Sequence, residues 1–297
     1  MNSVFNLLLI SVLIFLLGTC RTPEKTNQTS LRIISLSPHI TELIYALEAD
    51  TYLVAVTDFC RYPLAARDKE QIGGLIDPNI EKMVSLAPTH LFGIPAHSEL
   101  NEKVRKFGLH IDMYPNETWA DMLAAIDSIA GKIGCDHKGQ EIIHKMNINL
   151  DSIHAERTHQ QPGVMLLIGY EKGSLRNATV AGPNTFIDEM LSAAGGANIY
   201  RDLGMRYGTV NIESMLTRQP EVIIDLRMED KHQIQRLRID DTWSVLNRTP
   251  AVRQGNIFSI CGSHTLIPGP RMLWLARDFQ AVLDSVKNEQ KAVGSKP

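Results

Sequence analysis

The sequence predicts an α/β protein of two Rossmann-like lobes with mostly parallel sheets, joined by one long helix. Short apolar strands alternate with amphipathic helices in both halves of the 297-residue chain, the pattern of a parallel sheet covered by helices. A short motif recurs in both halves, which indicates duplication. Between the halves, from Asp136 to about His159, apolar residues recur at helical spacing.

This central stretch is the predicted connector. Asp136 is the predicted N-cap, and no proline falls between Pro115 and Pro162. The apolar stripe consists of Ile142, Met146, Leu150 and Ile153. Such a helix is roughly 30 Å long, about the width of a small domain. The predicted boundaries are therefore an N-terminal lobe, a connecting helix and a C-terminal lobe at residues 32–134, 135–161 and 162–290.

Composition excludes several classes of protein. A hydrophobic content of 44% and a charged content of 21% are typical of a globular protein. The formal net charge of -3 and the lack of a long basic run give no support to nucleic-acid binding. The four cysteines form no C-x-x-C pair, which argues against a zinc ribbon or a dithiol redox motif. Whether any two of three cysteines are bonded stays open: Cys60, Cys135 and Cys261.

The N-terminus has the pattern of an export signal. An apolar run from Leu7 to Leu17 is too short to span a bilayer comfortably but suits a signal-peptide core. It ends in Leu-Gly-Thr-Cys, which resembles a bacterial lipoprotein box with Cys20 as the acylated residue. We therefore expect a signal peptide at 1–20, a polar tether at 21–31 and a membrane-anchored lipoprotein of the periplasm or cell envelope. The alternative is an ordinary secretory signal with a chance cysteine, and inner or outer membrane anchoring stays open.

The remaining elements follow from periodicity. In the first half, strands are predicted at 32–37, 52–56, 91–92 and 110–114, and helices at 40–47, 79–86, 100–107 and 119–133. In the second half, strands are predicted at 164–168, 222–225 and 257–260, and helices at 185–194, 213–218, 243–247 and 271–286. The charged tail from Lys287 lacks periodicity, which predicts a frayed end.

The duplicated motif joins a helix start to a proline and a strand. Asn79-Ile80-Glu81, Met83 and Pro88 match Asn211-Ile212-Glu213, Met215 and Pro220 at one offset, 132 residues (211 − 79). Each asparagine is the predicted N-cap, and each glutamate falls in the first helical turn. A carboxylate there is favoured by the helix dipole, worth about 0.3–1 kcal/mol. Two such carboxylates also suit docking onto a symmetric partner with two basic sockets.

Several segments together resemble the substrate-binding proteins of ABC importers for vitamin B12 and iron complexes, the class with a helical connector. The resemblance covers roughly residues 32 to 285. It rests on the opening Arg32-Ile33-Ile34-Ser35-Leu36-Ser37-Pro38-His39-Ile40-Thr41-Glu42, on Asp58-Phe59-Cys60-Arg61-Tyr62-Pro63, on both copies of the repeat, and on Pro268-Gly269-Pro270-Arg271. The resemblance implies a ligand cleft between the lobes. It also implies that Glu81 and Glu213 dock onto arginines of a dimeric membrane permease.

Candidate ligand-binding residues follow from the rule that ligands bind outside the carboxyl ends of strands in open α/β sheets. These residues are Ser37, Pro38, Phe59, Cys60, Tyr62, Gly74, Leu75, His97, Tyr170, Tyr207 and His264. Aromatic rings and glycines in such loops suit a large, flat, partly apolar ligand. The Asp-Phe-Cys-x-Tyr-Pro loop is most similar to that of cobalamin-binding members, and Tyr207 lies where these commonly place an aromatic residue.

Alternatives of other chemistry remain. A ferric siderophore complex or haem is the alternative cargo, and an anionic ferric complex favours convergent arginines such as Arg61, Arg206 and Arg227. Histidines at strand ends suggest a bare divalent ion, but no close His pairing supports a metal site. No G-x-S-x-G, H-E-x-x-H or phosphate-loop motif supports an enzyme. We therefore expect no catalytic residues, no metal and no cofactor, in a monomer that carries a corrinoid.

Overall fold

The computed structural model describes residues 31–157, 161–171 and 173–294. The predicted signal peptide, the acylated Cys20 and the tether as far as residue 30 lie outside the described residues. The chain from Leu31 onward forms one compact unit. Within the described part, no helix is both long enough and apolar enough to cross a membrane.

The N-terminal lobe contains a five-stranded sheet in which every pairing is parallel, with strand order β3-β2-β1-β4-β5. Its strands are β1 (Ile33–Ser35), β2 (Leu53–Val56), β3 (Glu70–Gln71), β4 (His90–Gly93) and β5 (Ile111–Met113). Its helices are α1 (Pro38–Ala46), α2 (Ile80–Ser85), α3 (Ser98–Arg105) and α4 (Trp119–Ile133). This is the predicted alternation, and the bounds of α4 coincide with the predicted ones.

The C-terminal lobe contains a mixed sheet, whose main path is β11-β12-β10-β6-β7-β9, with β8 beside β6. Its strands are β6 (Gly163–Glu171), β7 (Ser174–Ala181), β8 (Ala197–Asn198), β9 (Tyr207–Val210), β10 (Val222–Arg227), β11 (Gln233–Arg236) and β12 (Ile257–Cys261). The helices are α6 (Phe186–Ala194), α7 (Ile212–Arg218), α8 (Asp241–Ser244), α9 (Pro250–Gln254) and α10 (Met272–Gly294). The pairings of β7, β9 and β11 are antiparallel, and the sequence analysis missed these three strands.

The connector is α5 (Asp136–Glu156), and its buried face packs into the main apolar core of the molecule. Met146 and Ile153 are buried in a single apolar cluster that includes Ile33 from the first sheet and Phe279 from α10. The predicted N-cap is wrong by one residue: Cys135 is the N-cap, it makes no side-chain capping bond, and Asp136 is the first helical residue. A carboxylate in that first turn still favours the helix dipole.

The two copies of the repeat have the same local structure. The side chains of Asn79 and Asn211 accept hydrogen bonds from the backbone N–H groups of Lys82 and Ser214, at 2.9 and 2.8 Å. Both helices end in a non-glycine residue of the left-handed region, Ala87 with φ 43° and Gln219 with φ 48°. The proline and then a buried strand, β4 or β10, follow in each copy. The N-cap predictions are confirmed.

The structure also bears on the C-terminal tail and on the pairing of the cysteines. The tail from Lys287 was predicted to fray, but α10 continues to Gly294. Among the described residues, no disulfide joins Cys60, Cys135 and Cys261. All three are free thiols, with Cys60 buried and the other two partly exposed. Cys60 donates to or accepts from the Thr57 hydroxyl, its Sγ lying 3.2 Å from Oγ1.

Candidate functional site

A cleft between the lobes contains two cavities, and the segment around Ile267 contributes to both. The first, here the Phe59 chamber, has a volume of about 460 Å³ and is lined by Pro38, Glu42, Phe59, Arg61, Tyr62, Met228, Glu229, Asp230, Ser263 and Ile267. The second, the Tyr207 chamber, has a volume of about 260 Å³ and is lined by Asn116, Glu117, Ile168, Phe186, Ile187, Tyr207, Leu266 and Pro268. Residues of both lobes line each chamber, as expected of a binding site that the lobes share.

A buried ion pair joins the lobes beside the Phe59 chamber. The Arg271 guanidinium donates from Nε to Glu42 Oε2 at 2.9 Å and from an Nη atom to Oε1 at 2.5 Å. Both side chains are almost fully buried, and a third guanidinium bond reaches the Ser263 hydroxyl at 2.8 Å. Burial nevertheless raises the pKa of the Glu42 carboxyl. The bidentate geometry fixes the two lobes against each other at this point.

The loop ahead of Arg271 approaches α1 closely. A Cβ atom on Gly269 would lie 2.8 Å from Glu42 Oε2, so a side chain there would displace the carboxylate. The Arg271 guanidinium also lies over the Tyr62 ring, 3.6 Å from its centroid. Tyr62 in turn contacts Trp274 edge to face, with the centroids 6.2 Å apart. Pro268 of the Pro-Gly-Pro-Arg motif lines the Tyr207 chamber, and Arg271 supports Tyr62, which lines the Phe59 chamber.

A second set of interlobe bonds lies beside the Tyr207 chamber. The Tyr207 hydroxyl donates to Glu117 Oε2 at 3.2 Å, and burial raises the pKa of this phenol. The Glu117 carbonyl accepts from the Phe186 N–H at 2.5 Å. The Trp119 N–H donates to Glu189 Oε2 at 2.6 Å. Tyr207 and Glu117 also line a more open groove, so this pair belongs to the walls of both spaces.

The three arginines considered as ligands for an anionic complex do not converge on one point of the cleft. Arg61 lines the Phe59 chamber together with the carboxylates of Glu42, Glu229 and Asp230. Arg206 lies in the outer groove and donates to the Asn184 carbonyl at 3.1 Å. Arg227 donates to Asp225 and to the Tyr170 hydroxyl, at 2.7 and 2.9 Å. The three arginines considered in the sequence analysis therefore lie around three different places.

Four predicted ligand-binding residues line the chambers, namely Pro38, Phe59, Tyr62 and Tyr207. Phe59 is 53% exposed although it is an aromatic residue, which makes its ring available to a flat ligand. Tyr207 was expected in a loop, but it begins β9. The strand places its hydroxyl across the cleft from Glu117.

Four other predicted residues are buried, and their polar side-chain atoms are bonded within the protein. They are Ser37, Cys60, His97 and His264. The Ser37 hydroxyl bonds to His39 Nδ1 at 2.8 Å, and His97 Nε2 bonds to the Leu75 carbonyl at 2.7 Å. His264 Nε2 bonds to Asp278 Oδ2 at 2.7 Å. In this structure these four side chains support the cleft loops and do not line either chamber.

The last three predicted residues lie outside the lining of the chambers. Gly74 and Leu75 are partly exposed in the turn before α2. The Tyr170 hydroxyl donates to Asp225 at 3.1 Å, and its ring packs against Trp243 with centroids 5.7 Å apart. Tyr170 therefore packs with the apolar cluster that contains Trp243.

The structure adds lining residues that the sequence analysis missed, chiefly Glu42, Glu117 and the run from Met228 to Asp230. The run follows β10, which continues two residues beyond the predicted end at Asp225. The strand-end rule would have selected Met228 had the strand been read to its full length. Glu42 carries a different signal: it is a charged residue inside the apolar pattern of α1.

The two candidate docking residues are Glu81 and Glu213. Both are exposed and lie in the first turns of α2 and α7. Each follows an N-cap asparagine whose side chain is already bonded to the helix. The carboxylates are therefore not needed as caps, and they face solvent.

Comparison with known proteins agrees with this architecture. The sequence model of a family described as periplasmic binding protein matches residues 33–262. The vitamin B12-binding protein of Vibrio parahaemolyticus is 27% identical over 269 residues, which cover 89% of this chain and 93% of that protein. Among solved structures, the periplasmic heme-binding protein HutB of Vibrio cholerae aligns with a TM-score of 0.73 at 26% identity, over 86% of this chain and 99% of that one. The periplasmic vitamin B12-binding protein BtuF of Vibrio cholerae aligns with a TM-score of 0.69 at 25% identity, over 86% and 97%.

Proposed function

Because the chain belongs to the periplasmic binding protein family, we propose that it captures cobalamin or a related corrinoid for an ABC importer. Membership of this family and the similarity to vitamin B12-binding proteins support a role as a substrate-binding protein of an ABC importer. The choice of a corrinoid and its delivery to a permease are the proposal. The proteins that the chain resembles are described as binding proteins and not as enzymes.

The observation that carries the choice of ligand is the lining of the Phe59 chamber. Phe59, Tyr62 and Met228 supply aromatic and apolar surface. Of the three carboxylates, Glu42 is paired with Arg271 and Asp230 with Arg67, so Glu229 and Arg61 leave the lining without a surplus of positive charge. Such walls favour a ligand without several negative charges, because they offer no unpaired group of arginines to neutralise an anionic complex. A corrinoid satisfies this condition better than a ferric catecholate or the two propionates of haem. The similarity to vitamin B12-binding proteins supports the same choice.

Haem is the second candidate, and one observation favours it. The heme-binding protein HutB aligns with a TM-score of 0.73, above the 0.69 of BtuF. Structures of this kind therefore accept either macrocycle, so the lining side chains decide between them.

The test is a calorimetric titration of the chain with cyanocobalamin, haem and a ferric siderophore in parallel. We expect one-to-one binding of the corrinoid alone. Phe59→Ala should weaken it about tenfold, because about 1.4 kcal/mol of aromatic contact is lost. The matched control is Phe107→Ala, since Phe107 is 58% exposed and lies outside both chambers. Binding of haem or siderophore without binding of cobalamin would overturn the choice of ligand and leave the class of protein intact.

The proposal extends to attachment and delivery. Acylation of Cys20 would tether the body near the permease, and Glu81 and Glu213 would dock onto it. Mass spectrometry of the protein from membranes tests the anchor: Cys20→Ala should remove the lipid and release the protein into the soluble fraction. An unmodified Cys20 in the mature protein would contradict the lipid anchor.

A further inference from the structure

Two histidines and one aspartate meet in the C-terminal lobe, beyond the residues that line the cleft. His232 precedes β11, His264 follows β12, and Asp278 lies on α10. Their nitrogen and carboxylate oxygen atoms all lie within 4.8 Å of one another. The group forms no recognisable sequence motif, because its members are 32 and 14 positions apart (264 − 232 and 278 − 264).

The Asp278 carboxylate lies between the two imidazoles. His232 Nε2 is 3.0 Å from Oδ1 and 3.1 Å from Oδ2, and His264 Nε2 is 2.7 Å from Oδ2. In a tetrahedral zinc site with bonds of about 2.05 Å, neighbouring donor atoms lie roughly 3.3 Å apart. The His–Asp distances are about 0.2–0.6 Å shorter than this spacing, and the donor atoms of the two histidines lie within 4.8 Å of each other.

A buried, ionised Asp278 carboxylate needs a positively charged group beside it. Asp278 is 7% exposed, and buried charges in proteins are generally paired or bound to metal ions. Among the hydrogen bonds and ion pairs that the structure gives for the described residues, its partners are the two imidazoles and no Lys or Arg. Either a protonated histidine or a bound cation supplies the positive charge.

Access and rigidity favour the cation. His264 is 2% exposed, and its ring lies against Gly262, where a Cβ atom would come within 2.5 Å of Cε1. The side chain of His232 is 55% exposed, so it leaves a path for an ion and a position for water. Two fixed donors and one accessible donor match a three-ligand site with an open fourth position.

We propose that His232, His264 and Asp278 bind one divalent transition-metal ion, with Zn²⁺ as the preferred ion. Two imidazoles and a carboxylate are ligands that suit zinc. The ion would hold α10 against the loops that flank β11 and β12. Arg271 and Trp274 lie on the same helix or at its start, so the ion would also fix the segment that carries Arg271 to Glu42. The three side chains line neither chamber, so the proposal does not depend on which ligand the cleft takes.

The test titrates Zn²⁺ into the full-length chain after treatment with a chelator. We expect one equivalent to bind and the melting temperature to rise, since an ion that binds only the folded state stabilises it. His232→Ala should lose both effects and still fold, because this side chain is largely exposed. His144→Ala is the matched control, an exposed histidine on α5, and should keep both effects.

Cobalt distinguishes this site from a cysteine site. Co²⁺ bound by nitrogen and oxygen gives visible d–d bands without the strong near-ultraviolet band of a thiolate ligand. Equal zinc binding by the chain and by His232→Ala would overturn the proposal. A thiolate band with Co²⁺ would overturn it as well, and so would an unchanged melting temperature together with no bound zinc.

Discussion

His39 is a buried residue whose titration departs far from its behaviour in water. Complete burial, with a smaller contribution from nearby His97, lowers the pKa of His39 to about 3. In the unfolded chain the same imidazole takes up a proton near pH 6.5. Below that pH the unfolded state therefore binds more protons than the folded state, and the folded state loses stability as pH falls towards 3.

We expect His39→Gln to flatten this pH dependence. The free energy of unfolding of the wild type should fall between pH 6.5 and 4, by at most about 1.4 kcal/mol per pH unit for one group. The variant should lose less over the same range, although burial also lowers the pKa of His97 and leaves a residual slope. Urea unfolding at several pH values measures both curves. Identical slopes would show that His39 is not responsible.

The Glu42–Arg271 pair gives a second prediction at this scale. Arg271→Met leaves the Glu42 carboxylate buried without its partner, which should cost about 3–5 kcal/mol of stability. The double variant Glu42→Met/Arg271→Met should recover most of that loss, because two apolar side chains leave no buried charge. Lys145→Ala is the control: it breaks an exposed pair with Glu141 on α5 and should cost under about 0.5 kcal/mol. Denaturant unfolding decides, and a double variant as unstable as the single one would contradict this account.

At the scale of elements, the contact between α4 and α5 depends on a glycine. A Cβ atom on Gly139 would lie 2.6 Å from the Cβ of Ala130, so the helices approach too closely for any side chain there. At Gly131 of α4, the nearest atom to an added Cβ outside the helix's own backbone is Asp136 Oδ1 at 3.5 Å, an ordinary contact. The two glycines share a helical setting and differ in packing.

This difference predicts opposite outcomes for the same substitution. Gly131→Ala should stabilise the protein by about 0.5–1 kcal/mol through helix propensity. Gly139→Ala should destabilise it by about 1–3 kcal/mol, because overpacking outweighs that gain. Thermal or urea unfolding of the two variants is the measurement. Equal stabilisation by both would mean that the helices separate at no cost.

The elements also show what a sequence can predict about such a protein. The α4 helix and the two Asn-capped helices were predicted because capping residues and apolar periodicity are local signals. The β7 strand, Ser174–Ala181, was missed because it contains Arg, Asn and two alanines, residues with little preference for strands. It forms because its neighbours β6 and β9 bond to it. Likewise, most of the cleft lining and the His232–His264–Asp278 group depend on contacts between distant segments, which periodicity does not encode.

At the scale of the whole molecule, the connector limits how far the lobes can move. The buried cluster runs without a break from the first sheet through α5 to α10, and a wide rotation would expose part of it to water. We expect a modest change on ligand binding, mainly ordering of the cleft loops. Small-angle scattering with and without cyanocobalamin should therefore give the same radius of gyration within error. A large decrease would show that the connector acts as a hinge.

The proposed docking onto a permease is also tested at this scale. Glu81→Ala/Glu213→Ala should leave the affinity for ligand unchanged, because both carboxylates are exposed and line neither chamber. Uptake through the permease should fall about tenfold or more, since two interface charges are lost. Glu99→Ala is the matched control, an exposed first-turn carboxylate on α3 without a copy in the other lobe. Loss of ligand affinity in the double variant would refute the docking role.

The edge-to-face contact of Tyr62 and Trp274 has a practical consequence. Trp274 is 50% exposed, whereas Trp243 is buried. Tyr62, which contacts Trp274, lines the Phe59 chamber. The protein thus has a built-in fluorescent probe beside the cleft, with an emission that polar surroundings shift to the red. Coloured macrocycles absorb in this spectral range, so their arrival would quench the emission by energy transfer. Stopped-flow fluorescence could therefore follow capture of the cargo in real time without any attached dye.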